Sequence, residues 1–188
     1  MRAIVLALAL ACATPGIASA QSFEERLSLC LACHGEKGTS ETPEVPSLGS
    51  QPSPYTLIQL YMFRQKLRLS DIMNEMAKDL TDADLQNFAD TIAKLPPPQP
   101  AADANPARMA RARDLITQHR CGFCHAADLS GNDSIPRLAA QREDYLLKSL
   151  REYKAGTCNE YQPIMAEVIQ PLGDADLVEL AYYLAHSK

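Results

Sequence analysis

The apolar positions in the middle of the chain and near its end recur at spacings of three and four residues. They are Leu85, Phe88, Ala89 and Ile92 in the first stretch and Leu177, Leu180, Ala181 and Leu184 in the second. This spacing places side chains on one face of an α-helix. We therefore predict an amphipathic helix beginning near Thr81-Asp82 and another beginning near Asp174.

Polar residues that start helices precede the other apolar stretches. Ser22 to Glu25 has the pattern of a capping box, Ser53-Pro54 opens a second helix, and Asn105-Pro106 combines a cap with a proline at the first helical position. A further apolar stripe consists of Leu146, Leu147 and Leu150. Together these signals predict three principal helices in each half of the chain, with a Cys-x-x-Cys pair at the end of the first helix of each half.

The two halves are copies of one pattern. Cys30 and Cys121 are 91 residues apart. At an offset of 90 or 92 residues, further segments match: Pro46 to Leu48 with Pro136 to Leu138, Gln51 with Gln141, Tyr55 with Tyr145, Met73 with Met165, and Asp82 to Leu85 with Asp174 to Leu177. A nearly constant offset of this kind indicates a tandem duplication. We predict domains over residues 21–95 and 107–188, joined by a proline-rich linker over residues 96–106.

Composition supports an all-α protein. The 188 residues include thirteen prolines and no tryptophan, few β-branched residues cluster together, and 46% are hydrophobic and 22% charged, as in a globular domain. Prolines cannot continue a helix, so they favour short helices joined by punctuated loops.

Residues 1–20 are typical of a cleaved Sec-type signal peptide. Arg2 is followed by an apolar stretch and by the small residues Ala18 to Ala20. The stretch is shorter than the roughly 20 residues that span a bilayer, which disfavours a retained anchor. We therefore expect a periplasmic protein that loses Cys12 with the leader and has no membrane span after cleavage.

The charge balance is mildly acidic. The formal net charge of −5 becomes −6 when Arg2, the one charged residue of the leader, is removed. An acidic surface argues against nucleic acid and anionic lipid as partners. It either favours a protein partner with a basic patch or only maintains solubility, and both interpretations stay open.

The two Cys-x-x-Cys-His sequences carry the chemistry. They are Cys30, Cys33 and His34 in the first half and Cys121, Cys124 and His125 in the second. This motif attaches haem c: two thiols at this spacing reach the two vinyl groups of one porphyrin, and the adjoining histidine ligates the iron. A zinc site would need a fourth ligand in each half, and a redox disulfide of the thioredoxin type would need a βαβ context, so we predict two covalently bound haem c groups.

The sixth iron ligand separates an electron carrier from an enzyme, because a methionine there leaves no open position for a substrate. Met73 and Met165 are the methionines at equivalent positions, 39 and 40 residues after their histidines. Met76 is the rival in the first half, but its counterpart is Val168. We expect Met73 and Met165 to be the ligands and Met76 to pack near the haem.

These motifs, together with the two Pro-x-Leu-x-x-Gln segments, resemble the dihaem cytochrome c4 family over nearly the whole mature chain. The resemblance implies two class I cytochrome c domains related by a pseudo-twofold axis, with the haem propionates near the domain interface. It also implies that the carbonyls of Pro46 and Pro136 accept from the imidazole N–H of the proximal histidines. The implied role is to carry electrons to a respiratory oxidase or from a periplasmic dehydrogenase.

Cys158 departs from the family pattern. It aligns with Arg68, where the resemblance implies a basic residue close to the haem propionates. Three interpretations stay open: a half-buried free thiol, an intermolecular disulfide that would join otherwise monomeric chains, and a thiolate that displaces Met165.

Three functions are consistent with the sequence. The leading one is a freely diffusing electron carrier without catalytic residues. The second is a cytochrome subunit bound permanently to a periplasmic dehydrogenase. The third is a dihaem enzyme of the peroxidase or thiosulfate-oxidising type, to which only Cys158 points.

Overall fold

The computed structural model describes residues 21–157 and 163–188. These residues form helices and loops without a β-strand, which confirms the all-α prediction. Within the same ranges, no helix is long and apolar enough to cross a membrane. The predicted signal peptide with Cys12, and also Cys158, lie outside the described residues.

The first half contains four helices. They are α1 (Phe23–His34), α2 (Ser53–Arg64), α3 (Asp71–Ala77) and α4 (Asp82–Lys94). The predicted capping box is present, since the Ser22 hydroxyl accepts from the Glu25 N–H while the Glu25 carboxylate accepts from the Ser22 N–H. Helix α4 packs along α2 and brings the end of the first half back against its centre.

The described residues of the second half contain five helices. They are α5 (Pro106–Gln118), α6 (Cys121–Cys124), α7 (Glu143–Ala155), α8 (Pro163–Ile169) and α9 (Asp174–His186). Helix α9 packs against both α5 and α7. The three helices of 12 or 13 residues in each half confirm the predicted principal helices, and the short helices α3, α6 and α8 are additional to that prediction.

The prediction that the second Cys pair ends a long helix is wrong. Helix α5 stops at Gln118, and Arg120 adopts a left-handed conformation (φ 52°) before the separate turn α6. The physical reason is length. Cys121 follows the cap Asn105 by sixteen positions, whereas Cys30 follows Ser22 by eight. At about 1.5 Å per residue, a straight helix would therefore carry the second pair about 12 Å too far.

The two apolar stripes lie in the core, as predicted. Leu85, Phe88 and Ala89 are at most 2% exposed. Leu177 is 1% exposed and belongs to a cluster that includes residues of α7 and α9. Burial of such side chains from water stabilises each half by about 25 cal/mol per Å² of apolar surface.

The linker between α4 and α5 is fixed to the second half at two points. The Ala101 N–H donates to the Ala185 carbonyl (2.9 Å), and the Asn105 N–H donates to the Tyr182 hydroxyl (2.7 Å). At its start the linker touches the first half so closely that a Cβ on Gly49 would collide with the Pro96 carbonyl oxygen. The proline-rich segment is therefore an ordered strap.

Polar contacts join the two halves directly. The Arg142 guanidinium donates to the Ser40 carbonyl (3.0 Å), and Lys148 forms an ion pair with Glu44 (3.0 Å). The Asp144 carboxylate accepts from the Glu44 N–H (3.0 Å) while it pairs with Arg142 in its own half (2.7 Å). The halves are therefore docked through specific hydrogen bonds as well as joined by the linker.

Acid should weaken this docking through Asp144. The hydrogen bond from Arg142, the largest cause, and the N–H of Glu44 lower the pKa of Asp144 to about 2. A carboxyl group whose pKa is lower in the folded than in the unfolded protein, where it is about 3.9, stabilises the fold above that value and loses the contribution as pH falls towards 2. Because Asp144 is partly exposed, we expect it to contribute no more than about 1 kcal/mol to the free energy of unfolding.

The measurement is the free energy of unfolding of Asp144→Asn and the natural protein between about pH 5 and pH 2. The variant should be less stable at pH 5 and should lose less stability on acidification. Asp133→Asn, at an exposed aspartate of the second half, is the control and should follow the natural protein. If the free energies of unfolding of Asp144→Asn and the natural protein changed with pH in parallel, this role of Asp144 would be contradicted.

Candidate functional site

Each Cys-x-x-Cys-His sequence occupies one turn of helix. The first lies in the last turn of α1 and the second spans α6 and its C-cap His125. In both, the first thiol is half-buried and the second is exposed. Burial raises the pKa of Cys30 and of Cys121. The two sites therefore present their thiols in the same way although the helices leading to them differ.

The two motif histidines are buried and held in one orientation. His34 and His125 are 7% and 5% exposed. Their Nδ1 atoms lie 2.8 Å from the carbonyl oxygens of Pro46 and Pro136. A carbonyl oxygen can only accept, so Nδ1 carries the proton and the Nε2 lone pair is available to a metal. Burial also lowers the pKa of both imidazoles, which favours the neutral form that binds iron.

The loop that presents each proline is fixed by matched backbone hydrogen bonds. The Gly38 carbonyl accepts from the N–H groups of Leu48 and Gly49, and the Leu129 carbonyl accepts from those of Leu138 and Ala139. Further along, Ser50 donates to Leu95 and Ala140 to Leu184, each at the end of the last long helix of its half. The proline carbonyls are thereby held against the histidines without any contribution from the thiols.

Met73 and Met165 lie on the short helices α3 and α8 and are half-buried. The Ser70 hydroxyl caps α3 by accepting from the Met73 N–H (3.4 Å). Met165 packs against the hydrophobic core of the second half. Met76 is 41% exposed. The equivalent methionines thus sit on equivalent helices.

Arg68 lies where the two halves meet. Its guanidinium donates to the Gln59 side-chain oxygen (2.6 Å) in its own half and to the Tyr145 hydroxyl (3.2 Å) in the other. The nitrogen of the Gln59 amide is buried without a hydrogen-bond partner among the described residues, as is the hydroxyl of Ser149. Positions 59 and 149 are 90 residues apart, so both halves hold an unpaired buried polar group at the same place.

The chain is similar along most of its length to known dihaem proteins. A cytochrome c4 of Thiocapsa roseopersicina is 29% identical over 184 residues, which cover 92% of this chain and 94% of that protein. The crystal structure of reduced recombinant cytochrome c4 from Pseudomonas stutzeri matches with a TM-score of 0.78 at 26% identity, covering 90% of this chain and 100% of that one. The chain belongs to the dihaem cytochrome c4 family.

Membership fixes the cofactor and the fold. Proteins of the cytochrome c4 family are dihaem c-type cytochromes, so this chain is an electron carrier with two covalently bound haem c groups in tandem cytochrome c domains. A thiosulfate dehydrogenase electron acceptor of Stutzerimonas stutzeri is also similar, at 28% identity over 168 residues covering 84% of this chain and 78% of that protein. No family model matches the chain.

The residues of this chain fit such a cofactor. Each half offers two thiols on one turn, a neutral imidazole with a free Nε2 and a thioether on a separate helix. The buried unpaired groups of Gln59 and Ser149 offer hydrogen-bond donors that a bound carboxylate could satisfy.

Sequence analysis did not assign roles to Gln51, Gln141 or Gln59. Gln51 and Gln141 match at an offset of 90 residues, and this match by itself indicates only the duplication. In the structure Gln51 and Gln141 are each 5% exposed and reach across to the opposite half. The signal that could have identified Gln51 and Gln141 is that a glutamine follows a proline at the same distance in both halves.

Proposed function

We propose that residues 21–95 and 107–188 each hold one haem c. Cys30 and Cys33 form the thioethers of haem 1. Cys121 and Cys124 form those of haem 2. The proposed axial ligands are listed by haem: His34 and Met73 for haem 1, and His125 and Met165 for haem 2. The observation that carries this assignment is the pair of buried imidazoles whose Nδ1–H groups are bonded to Pro46 and Pro136, so that both Nε2 atoms are free.

The bound haem supplies a one-electron couple, and the polypeptide controls access to it. A methionine on the sixth position closes each iron to substrates and raises its reduction potential. Pro46 and Pro136 orient the proximal rings. Arg68 provides positive charge where the two halves meet and compensates the propionates of haem 1. In this arrangement the chain transfers electrons and has no catalytic residue.

We infer that the protein works in the periplasm and shuttles electrons between a respiratory or dehydrogenase donor and a terminal acceptor such as a haem-copper oxidase. The expected signal peptide supports this location, and the net charge of −6 after cleavage supports docking to basic patches on a protein partner. A dehydrogenase donor is also supported by the similar proteins of Stutzerimonas stutzeri and Thiomonas intermedia that are named thiosulfate dehydrogenase electron acceptors.

The same two relatives favour a second candidate, a cytochrome bound tightly to a dehydrogenase. Size-exclusion chromatography of extracts from the native host distinguishes the two. A free carrier elutes at the mass of one mature chain, or of two if Cys158 forms an intermolecular disulfide that a reductant reverses. A bound subunit elutes with dehydrogenase activity.

Spectroscopy and carbon monoxide test the ligand assignment. The oxidised protein should show the weak far-red absorption band of methionine-ligated haem c, at an intensity that corresponds to two such haems per chain. The reduced protein should not bind carbon monoxide at neutral pH. Rapid binding of one or two equivalents would show an open iron position and would favour the dihaem enzyme instead. Met76→Leu is the control, and it should leave the band unchanged.

A further inference from the structure

Two buried glutamine side chains cross between the halves and bind the loops that hold the proximal histidines. The Gln141 amide accepts from the Ser47 N–H (2.7 Å) and donates to the Ser47 carbonyl (2.9 Å). In the opposite direction, the Gln51 amide accepts from the Arg137 N–H and donates to the Arg137 carbonyl, both at 3.0 Å. Each glutamine therefore makes a two-point contact with one backbone residue of the other half.

The bonded residues are the ones that follow Pro46 and Pro136. The Ser47 N–H and the Pro46 carbonyl belong to the same peptide group, so this group donates to Gln141 on one side and accepts from His34 Nδ1 (2.8 Å) on the other. The same holds for the peptide between Pro136 and Arg137, which links Gln51 to His125. A continuous hydrogen-bonded path thus leads from a glutamine in one half to the imidazole in the other.

We propose that Gln51 and Gln141 are positioning residues that tune the haem of the opposite half: Gln141 acts on haem 1 and Gln51 on haem 2. The proposal rests on the proposed function, in which His34 and His125 ligate the two irons. Hydrogen bonds in a chain polarise one another, so an acceptor on the peptide N–H makes the proline carbonyl a stronger acceptor. The stronger acceptor in turn makes the imidazole a more basic ligand.

This chemistry fixes the direction of the effect. A more basic ligand stabilises the ferric state over the ferrous state, so each glutamine lowers the potential of the opposite haem. Loss of the glutamine should therefore raise that potential. The burial of both glutamines, and of Ser47 at 2% exposure, keeps water from replacing the amide.

The test is a redox titration of Gln141→Met and Gln51→Met, which remove both hydrogen bonds to the other half at nearly constant side-chain volume. Gln141→Met also removes the local bond that its side-chain oxygen accepts from the Arg142 N–H (2.9 Å). Nuclear Overhauser contacts from each haem to the thioether protons of its own attachment site assign the two potentials. In Gln141→Met, the reduced-to-oxidised ratio of haem 1 at a fixed potential should rise at least threefold. This is a shift of about 28 mV at about 59 mV per tenfold change for one electron. The potential of haem 2 should change much less. In Gln51→Met, the potential of haem 2 should rise and that of haem 1 should change much less.

A conservative variant and a charge-neutral control keep the test specific. Gln141→Glu retains an oxygen that accepts from the Ser47 N–H, so the potential of haem 1 should not rise. The double variant Glu44→Gln/Lys148→Gln removes an ion pair between the halves without changing the net charge, and both potentials should stay within a twofold change. In the natural protein, the Ser47 amide should exchange slowly with solvent, and this measurement requires no variant.

Equal shifts of both haems, a shift confined to the haem in the same half as the substitution, or no shift would each overturn the proposal. Fast exchange of the Ser47 amide in the natural protein would overturn it as well. Failure of the proposed function looks different, because the far-red band or one of the two haems would then be missing from the natural protein before any substitution.

Discussion

Met73→His is expected to lower the reduction potential of haem 1 by on the order of 0.2 V, about a quarter of the roughly 0.8 V range that axial ligands span in haem proteins. An imidazole lacks the thioether's preference for ferrous iron, so replacing sulfur by nitrogen stabilises the ferric state. Redox titration followed by absorption spectroscopy measures the two potentials separately. The intensity of the far-red band should fall by half at the same time.

The other haem serves as an internal reference in this experiment. Its potential should stay nearly constant, because the substitution lies on α3 and does not touch the peptide groups that connect the halves. Met165→His should give the mirror result on haem 2. Met76→His is the matched control on the same helix, and a large shift there with none in Met73→His would transfer the ligand role to Met76.

The double variant Cys121→Ser/Cys124→Ser is expected to reduce covalently bound haem from two groups per chain to one. A serine hydroxyl cannot form the thioether bond, and the exposed and half-buried thiols of α6 lie within one turn with no other described thiol in that half. Haem staining after denaturing electrophoresis and the pyridine haemochrome spectrum both count attached haem. The remaining haem should keep its methionine-ligated spectrum.

Two further variants complete that comparison. Cys30→Ser/Cys33→Ser should remove the other haem and leave haem 2. Cys158→Ser should leave both haems attached, because it lies in neither attachment motif. Loss of both haems after substitution in one half would contradict two domains that each bind haem on their own.

Much of the fold follows from local signals. The stripe that begins at Thr81 and the one that begins at Asp174 predict helices α4 and α9 because a period of 3.6 residues leaves one apolar face to bury. The repeat offset predicts that the halves share one architecture. The break between α5 and α6 was not predicted, since the left-handed conformation of Arg120 depends on where the second attachment turn must lie and not on a glycine that the sequence could reveal.

The candidate site also has features that the sequence predicts and features that it does not. The thiols and histidines are adjacent in the chain, so the chemistry of haem attachment can be predicted from their spacing alone. The duplicated pattern also selects Met73 over Met76. The environment of these residues could not be predicted, because Gln51 and Arg137 are 86 residues apart and Gln141 and Ser47 are 94 apart.

The sequence by itself determined that the chain is duplicated, that each half is helical, and that each carries a haem attachment motif with an equivalent methionine. These properties belong to residues that are neighbours on a helix turn or that repeat at a nearly constant offset. Only the tertiary structure decided that a glutamine of each half hydrogen-bonds to the loop that holds the histidine of the other half. A buried side-chain amide has no periodicity of its own, and its partner is set by how two surfaces dock.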